Sequence, residues 1–127
     1  MADIVIKQNA TAEDRASYFE ALVETMLGIS SAQSTLSARR SLTDSADETR
    51  YIDIQAHELE AEYNKLHAAE IAFLSNQFRF RPPSAETVAS IKAMVQRLDV
   101  MVAASVRAQQ VVEAVTGLLN LWRTTLA

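Results

Sequence analysis

Apolar residues recur at three- and four-residue intervals along most of this chain, and the intervals fall into three runs. In the first run Tyr18, Phe19, Leu22, Val23, Met26 and Ile29 line one face of a helix. Thr11 and Asp14 have capping-box spacing at its start, and Glu13 and Asp14 suit the positive end of the helix dipole. From Ser30 to Ser45 serine and threonine crowd the chain, with Leu36 and Leu42 the only large apolar residues. No proline forces a stop there, and glycine inside a helix costs only ~1 kcal/mol relative to alanine. The helix is therefore predicted to run on to about Arg40, the alternative being a break near Gly28.

Ser45 and Glu48 mark a second helix start. Its stripe runs Ile52, Ala56, Leu59, Tyr63, Leu66 and Phe73 and carries the helix to about Gln77 to Arg79. The stretch RFRPPSAETV follows, with both prolines of the chain side by side. A residue before proline is pushed out of α geometry and proline has no N–H to donate, so Arg81, Pro82 and Pro83 form a corner. Ser84 can cap the helix beyond it.

The third run is the longest. Ile91, Met94, Leu98, Met101, Ser105, Ala108, Val112, Val115, Leu119, Trp122 and Leu126 keep the spacing unbroken, and a row of valines lies beside them. As one helix it would reach roughly 60 Å, so either Gly117 ends or bends it or the bundle is elongated. The fold class expected is all-α, an antiparallel bundle of three long helices, or four if the first breaks near Gly28. Residues 11–127 form the single bundle domain, after a flexible or extended segment at 1–10.

Composition narrows the chemistry. With 127 residues, two glycines and no cysteine, the chain is one helix-favouring domain without disulfides or thiolate metal sites. A formal charge of −4 argues against nucleic acid as a partner. The apolar run near the start is too short for an export signal, and charges interrupt the late apolar stretch, so a cytoplasmic location is expected. Residues 44–78 are acidic and residues 79–127 basic, which predicts pairing of Arg107 with Glu58 and of Arg97 with Glu62 or Glu70.

His57, Glu60, Asn64, His67 and Glu70 share one face of the second helix. Di-iron bundles use Glu-x-x-His with carboxylates from other helices, whereas here the order is reversed and one helix supplies everything. A solvated face is the expected reading, with a metal protein or enzyme built on His57, Glu60, His67 and Glu70 as an alternative. No phosphate-binding glycine loop exists, and no cofactor is expected. Arg79, Phe80 and Arg81 read as a helix end with its aromatic cover rather than as a base-stacking motif.

An up-down-up arrangement of three helices brings Ser30, Gln33, Gln55, His57, Ser105 and Gln109 to one height, a candidate polar layer that would fix register. Such wide apolar faces and missing catalytic motifs predict a non-enzymatic protein-protein interaction module: an adaptor, a small chaperone or immunity-like partner, or an assembly subunit. Its partner would be another protein chain, with homo-oligomerisation expected. The expected contact surface is the later part of the third helix, through Leu98, Met101, Val102, Val112, Val115, Leu119 and Trp122. A membrane-surface or membrane-inserting amphipathic helix is the alternative from another class.

Overall fold

A computed structural model describes residues 11–75, 80–103 and 106–125, without the side chains of Val102 and Ala103. The described residues form four helices and no strand: α1 (Ala12–Leu42), α2 (Ala46–Leu74), α3 (Ala85–Ala103) and α4 (Ala108–Arg123). The segment at 1–10, Ser105, Arg79 and Leu126 lie outside them.

Local chemistry sets most of the boundaries. The Thr11 hydroxyl accepts from the Asp14 N–H at 3.0 Å, and the Asp14 carboxylate accepts from the Thr11 N–H, closing the capping box. Ser45 accepts from the Glu48 N–H, and Ser84 from the Thr87 N–H. Between α2 and α3 the described part of the connection, Phe80 to Ser84, has no helical structure, as the two prolines require.

The helix count corrects the expectation of three, and the break is neither at Gly28 nor at Gly117. α1 runs unbroken through Gly28, α4 runs unbroken through Gly117, and the third run divides before Arg107, whose backbone is extended. Nothing in that local sequence forbids helix. Folding back lets α4 bury Ala108, Val111, Ala114, Val115, Leu118, Leu119 and Trp122 against its own chain. Burial is worth about 1.5–3 kcal/mol for each large side chain, far more than the few hydrogen bonds lost at a break.

α1 and α4 each touch all three other helices, α1 the more extensively, while α2 and α3 do not meet. Lys92 pairs with Glu20 and Ser31 donates to Asp99, so α3 climbs parallel to α1. α2 and α4 descend together, with Arg123 3.6 Å from Glu62. The helices thus alternate in direction along the chain, yet α2 and α3 occupy opposite corners and the proline corner crosses the end of the bundle. Phe80 is buried beneath that crossing, with Tyr18 4.8 Å and Phe73 5.3 Å away between ring centres. Trp122 closes the same cluster, 5.6 Å from Tyr18, and the Arg15 guanidinium lies 4.5 Å over Phe73.

Gly28 sits where α1, α3 and α4 converge. A Cβ there would run into the Leu118 side chain and come within 3.1 Å of Val95. Gly117, by contrast, faces only the terminal methyl of Met94, at 2.9 Å from an added Cβ. Gly28→Val is expected to destabilise the protein by about 1–3 kcal/mol through overpacking. Gly117→Ala should be neutral or stabilise by up to ~1 kcal/mol, because Met94 can swing aside and alanine favours helix. Urea unfolding of both variants checks this, and equal effects would contradict it.

Candidate interaction surface

The residues expected to meet a partner lie inside the chain. Leu98, Val115, Leu119 and Trp122 are buried, and Met101 and Val112 pack half-buried against them. The expected surface is corrected accordingly: the fold-back of α4 uses up the apolar surplus that had called for company. Val102's side chain lies outside the described residues.

The polar layer does not form a buried stratum either. His57 and Gln109 are exposed, and Ser30, Gln33 and Gln55 are half-buried at the surface. The layer requires an unbroken third helix, and its register with α1 and α2 fails beyond the division between α3 and α4. The buried threonine hydroxyls are instead Thr25 and Thr35 on α1, donating to the Ala21 carbonyl at 2.7 Å and the Ser31 carbonyl at 2.9 Å, and Thr125 just after α4, donating to the Trp122 carbonyl at 2.7 Å. Each is satisfied by a carbonyl three or four residues earlier, so these hydroxyls need no layer between helices.

Charge placement differs as well. Arg97 lies beside the Met94 sulfur, and Arg107 lines a cleft with Arg39, Glu48 and Tyr51 at the other end of the bundle from the proline corner. Here Glu48 does more than begin α2. Its carboxylate accepts two bonds from Arg39, at 2.9 and 3.1 Å, and also faces the Ala108 N–H at the start of α4. One side chain therefore joins the end of α1, the start of α2 and the positive end of α4. Arg39, then the Thr43 hydroxyl, hold the Glu48 carboxyl below its ordinary range against the cost of desolvation, with Ala108 adding a smaller pull. Arg40 does the same to Asp53 through a two-pronged contact at 2.7 and 3.1 Å.

Among the described residues, two outward faces bear on contacts with other molecules. On α1, Leu27, Ser30, Ser31 and Ser34 line a groove whose far wall is Lys92, Val95, Gln96 and Asp99 of α3. Of its charged groups Lys92 is engaged with Glu20 and Asp99 with Ser31, and Glu24 also lines it, so the groove offers small hydroxyls and one further carboxylate.

The other face belongs to α2. This helix buries one residue per heptad, Ile52, Leu59, Leu66 and Phe73, all against the bundle. On the opposite side Ile54, His57, Ala61, Asn64, Ala68 and Ile71 keep the same three- and four-residue spacing, and all six are exposed. Ile54 is 51% and Ile71 54% exposed, and Leu74 beside them 62%. Glu58 and Lys65 flank this seam on one edge, Glu60 and His67 on the other, all four exposed. Of the metal-site candidates, His57, Glu60 and His67 are exposed and Glu70 half-buried. Among the described residues no three histidine or acidic side chains converge on a point that could hold a metal ion.

No described helix is long and apolar enough to cross a membrane. No protein-family model matches the chain, and no curated protein or solved structure shows significant similarity to it.

The Glu48 contact sets a pH dependence. Its folded pKa lies below the ordinary value of 4.5, so the stability it contributes is complete above that pH and is lost as pH falls through the folded value. Glu48→Gln is expected to be less stable than the parent at neutral pH, with the gap closing in acid. Thermal unfolding across pH 3 to 7 measures it, and a gap that does not change with pH would contradict the assignment.

Proposed function

We propose that the protein is a non-enzymatic interaction module that meets another protein chain through the outward face of α2. One observation carries this reading: α2 has a second seam, at coiled-coil spacing, on the side opposite its buried one. The buried seam is accounted for by α1, whereas Ile54 and Ile71 are left about half exposed, at 51% and 54%. Covering the rest of each isoleucine is worth roughly 1 kcal/mol. The two alanines between them let another helix approach closely, and His57 and Asn64 keep the face soluble when it is free. Such a face suits a modest, reversible contact, in keeping with an adaptor or an assembly subunit.

The test is site-directed photo-crosslinking of the full chain in the cells that make it. A photoreactive residue at position 61 or 68 is expected to give protein adducts, and one at position 89, an exposed alanine of α3, to give none. Adducts from position 89 alone would overturn the reading.

A further inference from the structure

Resting on that reading, we infer that the chain docked on α2 is a second copy of this protein, with its own α2 laid antiparallel across the first. The exposed seam is symmetric in sequence. About a dyad between Glu62 and Tyr63, Ile54 meets Ile71 of the second copy at both ends of the contact. His57 then faces Ala68, and Ala61 faces Asn64, so no two large side chains collide and each polar residue sits against a small one. The six positions are all exposed, and they face away from α1, so the two bundles lie back to back without obstruction.

The flanking charges agree with the same register. In an antiparallel pair, like flanks face each other. One flank brings Glu58 opposite Lys65 of the second copy, and the other brings Glu60 opposite His67, each occurring twice by symmetry. Asp53, which would face Leu74, is already held by Arg40. Lys65 has only a 3.6 Å contact with Glu62 in its own chain and is 75% exposed, so it is available. A parallel arrangement would still match Glu60 with Lys65 but would oppose Asp53 to Glu58, acid against acid, twice. Charge therefore selects the antiparallel pair, as helix dipoles also do.

A contact of about five helical turns is small, so association belongs at the weak end of specific interfaces. Sedimentation of the full chain up to about 0.5 mM is expected to show a reversible monomer–dimer equilibrium. E58K and K65E each place like charges opposite one another and should weaken association about tenfold. An equimolar mixture of the two variants restores opposite charges at both positions, so a heterodimer should recover the parent affinity. In a parallel pair E58K would instead relieve a repulsion, and tighter association of that variant would overturn the proposal.

Because the chain has no cysteine, Ile54→Cys and Ile71→Cys provide a second readout. Mixed and mildly oxidised, they should form a disulfide between different chains, while each alone should not, its two thiols being ~25 Å apart. Self-linking of each variant without cross-linking of the mixture would overturn the proposal, as would a parent that stays monomeric throughout. If the parent is monomeric but positions 61 and 68 cross-link to a different protein, the second copy is rejected and the contact face stands. If those positions give no adduct either, both fall.

Discussion

The structure depends on α1 being approachable from three sides. Its buried face alternates bulk and economy, with Tyr18, Leu22, Ile29 and Leu36 set among Ala21, Thr25, Gly28, Ala32 and Thr35. The large side chains supply apolar area, and the small ones let neighbouring backbones come near. Where Gly28 removes even a methyl group, α3 and α4 meet over α1. The diffuse apolar pattern of α1 follows from Thr25, Gly28, Ala32 and Thr35 taking places among its ten buried residues, whereas α4, which also has three neighbours, fills its inward face with larger apolar side chains.

That centrality also explains how differently the other helices are held. α4 turns a broad face inward and buries seven residues in sixteen, whereas α2 buries four in twenty-nine. α2 is secured mainly at its ends, by Arg39 and Arg40 at one and by the Tyr18, Phe73 and Phe80 cluster at the other. Its middle rests on Leu59 and Leu66. A helix held in this way keeps most of its circumference in water, and its surface is where contacts with other molecules can be made without disturbing the core.

Much of the architecture was legible in the residues. Thr11, Ser45 and Ser84 marked helix starts, and Pro82 with Pro83 marked a corner, because these effects are local and chemical. Phe80 covering the bundle end was legible for the same reason. The division before Arg107 was not, since no glycine or proline announces it and arginine is not a usual N-cap, although the Gln110 side chain accepts from the Arg107 N–H at 2.9 Å. It follows from a global comparison between a solvated rod and a folded-back hairpin. The division shifts the height of every residue after it, which dissolves the polar layer and moves Arg107 away from Glu58, while Arg97 misses Glu62 and Glu70 because α3 does not meet α2. The second seam of α2 is present in the sequence, but its positions His57 and Asn64 share a helix face with Glu60 and His67 and so fit a ligand pattern as well as a repeat. Only the burial of Ile52, Leu59, Leu66 and Phe73 identifies which seam is left over.

The crossing at the proline corner has a kinetic corollary. Because α2 and α3 stand at opposite corners, α3 finds its main support on α1, where Ser31 and Asp99 are 68 positions apart in the chain. A bundle whose successive helices were all neighbours could zip up through short-range encounters. This one must close a long loop before its central seam is assembled, which raises its contact order and slows its folding relative to such a meander.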